Sequence, residues 1–188
     1  MDYDILPFKT SDDWRQWLES HHANTDGVWL LLRKKASGLP TVTYAEALDE
    51  ALCYGWIDGL KKSYDETSFL QKFTPRRKRS LWSKNNIDHV TRLIKAGRMT
   101  LAGQAEVDRA KEDGRWDAAY DKPSEMVIPE SFLSELHKHP KAEAFFATLN
   151  KSNRYAIAWR LQTAKTEVTR LRRQGKILDL LNAEQKLT

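Results

Sequence analysis

The residue types best suited to bind a ligand cluster in one short stretch, residues 73–85, which we call the basic loop. It reads FTPRRKRSLWSKN and contains no carboxylate. Its four consecutive cations are Arg76, Arg77, Lys78 and Arg79. Such a run of like charges is typical of a solvated loop, but it also attracts anionic or phosphorylated partners. Trp82 follows the cations, and its indole is expected to lie exposed beside them.

A helix is expected to begin where the basic loop ends. Pro75 has no backbone N–H and therefore ends strand pairing, and Ser80 or Ser83 can cap the helix that follows. Lys84 and Asn85 then lie in its first turn. Because free N–H groups at a helix N-terminus attract anions, the loop is predicted to bind an anionic ligand.

Asp58 is the candidate for acid–base chemistry. It lies between Ile57 and Gly59 in a predicted short strand. A carboxylate among apolar neighbours needs a cation or several N–H donors, or its pKa rises. Either it forms an ion pair that holds the basic loop to the sheet, or it acts as a catalytic acid or base. The predicted ligand-binding residues, with two from this strand as the floor, are Trp56, Asp58, Arg76, Arg77, Arg79, Trp82, Ser83, Lys84 and Asn85.

Signatures of common catalytic and cofactor sites are absent from the sequence. No C-x-x-C, H-E-x-x-H or EF-hand pattern occurs, so no metal site is predicted. No Gly-rich dinucleotide or phosphate loop and no G-x-S-x-G occurs, which predicts no cofactor and disfavours the common hydrolases. Cys53, the single cysteine, lies near the end of an apolar-faced helix and is expected to be buried and structural.

The charge of the 188-residue chain is unevenly distributed. The net charge is +5, with +6 in residues 61–84, +7 in residues 151–176 and −8 in the remainder. A hydrophobic content of 40% is ordinary for a globular protein, and no apolar run approaches the ~20 residues of a membrane span. The single cysteine and the lack of a secretory pattern at the N-terminus predict a cytoplasmic protein.

The first half of the chain is predicted to have the order α-β-α-β-β. Helices are expected at residues 10–22 and 43–55, and strands at residues 28–33, 56–62 and 68–74. Thr43 and Glu46 form a capping box at the second helix. The first strand is an unbroken apolar run, which favours cover on both faces. Phe69, Gln71 and Phe73 of the last strand share one face by the two-residue period.

From residue 84 onward only helices are predicted, and the last of them contains Gly175. Pro140 is expected to start one of these helices and Ser152 to cap another. The predicted fold class is therefore α+β. A small sheet of about three strands, containing antiparallel pairs, packs with helices in the N-terminal half and is followed by an all-helical C-terminal half. Two domains are expected. The first, residues 1–120, contains the basic loop, which spans 72–85 when Lys72 is included. The second, residues 121–188, is expected to pack on the first.

Several motifs in order resemble one known family. They are ALDEALCYGWIDG at 47–59, FTPRR at 73–77 with the S-x-WS-x-N of 80–85, GRM at 97–99, GRW at 114–116 and SNRY at 152–155. Together they resemble the YdeI/OmpD-associated, or bacteriocin-protection (OmdA), family over about residues 5–180. The resemblance implies a bacterial cytoplasmic protein linked to envelope stress and to tolerance of cationic antimicrobial peptides or bacteriocins. It implies no catalytic residues.

Three functional hypotheses follow. The first, which we favour, is a non-enzymatic stress or tolerance protein whose basic loop binds an anionic small molecule or a protein partner. The second is an enzyme of unknown reaction in which Asp58 works with an arginine clamp. The third is a nucleic-acid binder, because a helix, a short link at 164–166 and a basic helix outline a helix-turn-helix. The arginines of that segment are Arg154, Arg160, Arg170, Arg172 and Arg173.

Overall fold

A computed structural model describes residues 3–187 of the chain. The chain divides into two compact units, residues 1–119 and residues 120–188. Each unit has its own cluster of buried apolar side chains. The first unit combines a sheet with helices and the second is helical, which confirms the predicted α+β class.

The first unit is built on one mixed sheet. Its strands β1–β4 span Ile5–Pro7, Val28–Arg33, Trp56–Ser63 and Ser68–Pro75, and its helices α1–α4 span Ser11–His21, Tyr44–Cys53, Lys84–Lys95 and Leu101–Glu112. The strand order is β1-β2-β4-β3, with β1 parallel to β2 and the other pairs antiparallel. The sequence predicts about three strands, whereas the described residues form four. The additional strand β1 has three residues and is too short to show a two-residue period.

Local capping decides where the first two helices begin. The hydroxyl of Thr10 accepts a hydrogen bond from the backbone N–H of Asp13, and the side chain of Asp13 accepts one in return. Thr43 and Glu46 form the same reciprocal pair, which confirms the predicted capping box. Trp14 then joins the two helices, because its indole N–H donates to the carbonyl oxygen of Ala47 at 3.0 Å.

Burial alternates along the central strand β2. Val28, Leu30 and Leu32 are buried against α1 and α2, while the residues between them are half-buried. The expectation that this strand is covered on both faces is therefore wrong for the described residues. Its unbroken apolar sequence conceals the alternation, because half-buried positions also accept large apolar side chains.

The hairpin of β3 and β4 carries the basic loop at its end. Phe69, Gln71 and Phe73 pair with residues of β2 that face the core, which confirms that they share one face. The register of β3 against β4 shifts between Asp58 and Lys61. The side-chain amide of Gln71 donates to the carbonyl oxygens of Gly59 and Leu60 in this irregular stretch, at 3.0 and 3.3 Å. It therefore hydrogen-bonds to oxygens that do not pair within the sheet.

The second unit is a small helical assembly. Helices α5–α8 span Glu130–Leu136, Pro140–Ala147, Lys151–Gln162 and Glu167–Asn182. Pro140 starts α6 as predicted, but Asn150 rather than Ser152 caps α7, by accepting from the backbone N–H of Asn153 at 3.0 Å. Helix α8 continues through Gly175. In the part of the chain that the structure describes, no helix is long and apolar enough to cross a membrane.

Candidate functional site

The basic loop joins β4 to α3 within the first unit. Strand β4 ends at Pro75 and α3 begins at Lys84, as the loop sequence predicts. Ser83 rather than Ser80 caps the helix, because its hydroxyl accepts a hydrogen bond from the backbone N–H of Asn86 at 3.1 Å. Ser83 is 7% exposed, so its hydroxyl holds the helix end and contributes little surface to a ligand.

Arg76 turns inward and braces the loop. Its Nη1 donates to the carbonyl oxygen of Leu81 at 3.0 Å, and its backbone N–H donates to the carbonyl oxygen of Gly55 at 2.9 Å. The guanidinium carbon lies 3.9 Å from the centre of the Trp82 ring. Stacking on an indole and bonding to a carbonyl together offset the cost of removing a guanidinium from water. Trp82 is 2% exposed, so the expectation of an exposed indole is wrong.

A second buried arginine, Arg115, also holds the loop. Its Nη1 donates to the carbonyl oxygen of Ser80 at 3.0 Å, and its Nε donates to the carboxylate of Asp113 at 2.7 Å. The neighbouring Trp116 ring lies 5.1 Å from the Trp82 ring, centre to centre. Sequence reasoning missed this brace, although the GRW motif that contains Arg115 marked the segment.

The remaining cations of the loop are open to solvent. Arg77, Lys78 and Arg79 are exposed, and so are Lys84 and Asn85 at the start of α3. The structure therefore separates the predicted site residues into two groups. Arg76, Trp82 and Ser83 are buried and hold the loop together, and the exposed cations form its solvent-facing surface.

Two neighbouring cavities of about 320 and 270 Å³ lie beside Arg77 and share Thr74 and Pro75. The first cavity also contains the carboxylate of Asp26, which repels an anion. The second contains Lys72 and no carboxylate, so it is the better place for an anion. Its other lining residues are Ile57, Gly59, Leu60 and Ser80. The Nζ of Lys72 lies 4.1 Å from the centre of the Tyr3 ring. A lysine and an arginine side chain beside apolar walls suit a small anion with an apolar part.

Asp58 lies away from this second cavity. Its carboxylate accepts a hydrogen bond from the hydroxyl of Tyr44 at 2.8 Å, and its strand position pairs with Phe73 on the core side of the sheet. Ile57 and Gly59, on either side of it, line the cavity. Because successive side chains of a strand point to opposite faces, Asp58 faces away. The expected ion pair with the basic loop is absent among the described residues, where Tyr44 is its partner instead.

Trp56 and Cys53 belong to the core of the first unit. Trp56 is 1% exposed, and its indole N–H donates to the carbonyl oxygen of His22 at 3.1 Å, so it does not form the floor of the candidate site. Cys53 is fully buried, which confirms the structural interpretation. Burial, with the nearby Glu50 carboxylate, raises the pKa of the Cys53 thiol to about 11, which keeps it protonated and weakly nucleophilic.

A buried ion cluster lies beneath the end of α2. Glu50 is 1% exposed and accepts hydrogen bonds from Arg15, at 2.9 Å, and from Arg98. Arg15 belongs to α1 and Arg98 to the turn between α3 and α4, so the cluster links both to α2. Both arginine side chains are partly exposed. Across residues 3–187 no group of His, Cys, Asp and Glu side chains could hold a metal ion.

Several arginines of the C-terminal basic segment make contacts within the second unit. Arg154 donates from Nη2 to the carbonyl oxygen of Ala147, the last residue of α6, and from Nε to that of Leu149 just beyond it. Arg173 donates to the carbonyl oxygen of Arg160 at 2.6 Å, and Arg170 pairs with Glu167. Arg172 is exposed. The short link between α7 and α8 is present. The arginines, however, are bonded to several different parts of the unit, whereas a helix-turn-helix would present them in one row to a groove of DNA.

Comparisons with known proteins divide the chain into two parts. Residues 6–106 match the family model described as "Domain of unknown function (DUF8412)". Residues 125–184 match the family model described as "Bacteriocin-protection, YdeI or OmpD-Associated", which confirms the resemblance to that family in this part of the chain. Neither the curated proteins nor the solved structures contain a significant match to this chain.

Proposed function

Since the chain belongs to the family described as a domain of unknown function (DUF8412) and carries a bacteriocin-protection (YdeI or OmpD-associated) domain at residues 125–184, we propose that it is a non-enzymatic tolerance protein that binds an anion. The ligand is an anionic small molecule or an anionic surface of a protein partner, and the exposed cations of the basic loop contact it. The proposed setting is the bacterial cytoplasm, under envelope stress.

One observation carries the proposal: two buried arginines hold the basic loop in place while its other cations remain exposed. Arg76 and Arg115 bind loop carbonyls at 3.0 Å. Arg77 and Arg79 are consequently presented on a braced backbone, and Arg77 shares a cavity with Lys72. Binding to a braced site loses less conformational entropy than binding to a mobile one, so fewer contacts suffice for affinity.

A cationic peptide is a poor direct ligand for this site. The basic loop lies in a segment of net charge +6, and like charges at an interface raise the free energy of association. We therefore propose that tolerance arises through regulation or through the envelope, with the anionic ligand or partner as the intermediary. The second cavity, which contains no carboxylate, is the proposed contact point.

The first prediction is that an anionic ligand stabilises the protein through Arg77 and Arg79. We would measure thermal unfolding with inorganic phosphate, nucleotides, sugar phosphates, anionic lipid head groups and short DNA. A ligand at 100 times its Kd adds about 2.7 kcal/mol to the free energy of unfolding. Because a hydrogen bond to a charged group contributes about 1.5–3 kcal/mol, Arg77→Ala with Arg79→Ala should weaken the ligand at least tenfold.

Lys95→Ala is the control for the loss of positive charge, because Lys95 is an exposed cation at the far end of α3. The proposal is wrong if the double variant binds every stabilising ligand as tightly as the control does. If no small anion stabilises the protein, a pull-down with the wild type and the double variant decides. Identical captured proteins would then remove the basic loop as the interaction site.

A further inference from the structure

The second unit contains a separate cavity of about 500 Å³, within the size range of small-molecule sites. Its apolar wall combines the connecting segment before α5 with side chains of α5 and α6. The residues of this wall are Met126, Val127, Ile128, Leu133 and Phe146. Three of them, Ile128, Leu133 and Phe146, pack against the core of the unit, so the wall is attached to a folded interior.

Helix α7 supplies the polar side of the same cavity. Lys151, Arg154 and Tyr155 line it, and their spacing of three and four residues places them on one face of the helix. Burial raises the pKa of the Tyr155 phenol, so its hydroxyl is neutral near pH 7 and can donate a hydrogen bond. The lining contains no Asp or Glu, so its two cations are not compensated by an acidic neighbour in the wall.

Arg154 is held in place before any ligand arrives. Its Nε donates to the carbonyl oxygen of Leu149 and its Nη2 to that of Ala147, both at 3.0 Å. The guanidinium carbon lies 4.9 Å from the centre of the Phe146 ring. These bonds occupy Nε and Nη2 and leave the N–H groups of Nη1 for a ligand. The site thus contains an oriented cation, and little side-chain entropy is lost when it binds.

We propose that this cavity binds a small amphipathic carboxylate. Its apolar body lies against the apolar wall that contains Val127 and Phe146, and its carboxylate lies between Lys151 and Arg154. A neutral apolar ligand would leave the two cations without a counter-charge. A small inorganic anion would leave the apolar wall in water. Only a molecule with both parts matches the lining, and this assignment does not depend on the function of the basic loop.

The experiment uses the full chain and three probes. Octanoate has both parts, octan-1-ol has the apolar body without the charge, and acetate has the carboxylate without the body. We expect titration calorimetry to show octanoate binding at least tenfold more tightly than either of the others. Backbone amide shifts in a ¹H–¹⁵N spectrum should change within residues 123–155 and little elsewhere.

Two variants at exposed positions test the location of the site without threatening the fold. Lys151→Gln removes one cation, and Val127→Asp places a carboxylate on a wall residue that is 75% exposed. Each should weaken octanoate at least fivefold, and Lys151→Gln should leave octan-1-ol unchanged. Lys176→Gln is the matched control, because Lys176 is exposed on α8 and lies outside the lining.

Three results would overturn the proposal. The first is no measurable octanoate binding, or octan-1-ol binding as tightly as octanoate. The second is amide shift changes that lie mainly outside residues 123–155. The third is octanoate affinity that falls no further in Lys151→Gln and Val127→Asp than in the Lys176→Gln control.

Discussion

Burial divides the arginines in and beside the basic loop into two that brace it and two whose side chains face solvent. Arg76 and Arg115 are 5% and 7% exposed, and each donates to a carbonyl oxygen of the loop at 3.0 Å. A carbonyl that loses its donor on folding costs free energy, so each guanidinium stabilises the loop by supplying a donor to one of its part-buried carbonyl oxygens. The side chains of Arg77 and Arg79 do not donate to the carbonyl oxygens of Ser80 and Leu81. They are exposed and can contact a ligand.

A prediction at this scale concerns Arg115→Met. The substitution keeps a long apolar side chain beside Trp116 but removes the donors to the carbonyl oxygen of Ser80 and to the carboxylate of Asp113. We expect the free energy of unfolding to fall by about 1–3 kcal/mol, because that oxygen loses its partner. Urea denaturation measures the loss. Trypsin should also cleave after residues 77–79 faster than in the wild type, since the loop loses one brace.

The control for this change is Arg109→Met on α4, where the guanidinium is 41% exposed and pairs with Glu106. Surface ion pairs of this kind contribute between about 0 and 1 kcal/mol. Equal stabilities and equal cleavage rates for the two variants would mean that Arg115 does not brace the loop.

At the scale of elements, the close approach of α4 to the end of α2 sets the position of the loop. The hydroxyl and the backbone N–H of Thr100 both donate to the carbonyl oxygen of Cys53, at 2.7 and 3.1 Å. The N-terminus of one helix therefore meets the C-terminus of another, which is the favourable arrangement of their dipoles. Gly55, two residues after Cys53, accepts a hydrogen bond from the backbone N–H of Arg76, so a shift of the helix junction also shifts the start of the loop.

The element-scale prediction is that Gly103→Ala disrupts this junction. A Cβ atom at Gly103 would overlap the carbonyl oxygen of Cys53 and lie 2.7 Å from its carbonyl carbon. Backbone atoms cannot rotate away, so α4 must shift and lose the Thr100 bonds. We expect the free energy of unfolding to fall by about 1–3 kcal/mol or more, measured by urea denaturation.

Gly175→Ala is the matched control for this substitution. Gly175 lies inside α8, and a Cβ atom there meets nothing within 4 Å. Alanine should stabilise the protein by about 0.5–1 kcal/mol, because glycine loses more backbone entropy in a helix interior. The same substitution should thus act in opposite directions at the two positions, and a stabilising Gly103→Ala would contradict the close approach.

At the scale of the whole molecule, charge and core are both divided between the two units. One basic segment, residues 61–84, lies in the first unit and the other, residues 151–176, lies in the second. Each unit buries its own apolar cluster. The two proposed binding sites follow the same division. The basic loop lies in the first unit, and the cavity proposed to bind a carboxylate lies in the second.

The prediction at this scale is that residues 120–188 form an independent domain. Their helices bury a core of their own, which includes Phe132, Ile157, Ile177 and Leu181, and α7 and α8 are capped from within the segment. The isolated segment should show a helical circular-dichroism spectrum and a cooperative thermal transition.

Leu181→Ala is the test of that transition, because Leu181 is fully buried and its truncation should cost about 2–5 kcal/mol. A small domain has little stability to spare, so the variant segment should unfold at room temperature or close to it. An isolated segment without cooperative unfolding would show that the unit depends on the rest of the chain.

The sequence by itself determined the features that depend on neighbouring residues. Helix starts at Thr43 and Pro140 and the end of β4 at Pro75 follow from capping and from the missing proline N–H. These interactions span at most four residues, so local spacing is sufficient to predict them. The α+β class and the family resemblance rest on the same local patterns, taken in order along the chain.

Only the tertiary structure decided which of the predicted site residues are open to a ligand. Arg76 is buried because Trp82 covers it, Arg115 braces a loop 35 residues away at Ser80, and Asp58 pairs with Tyr44 from a different element. Burial depends on contacts between different segments of the chain. The hydrophobic pattern of one segment does not show which other segments pack against it. Four consecutive cations look equivalent in the sequence, but packing makes one of them a brace and leaves three as a surface.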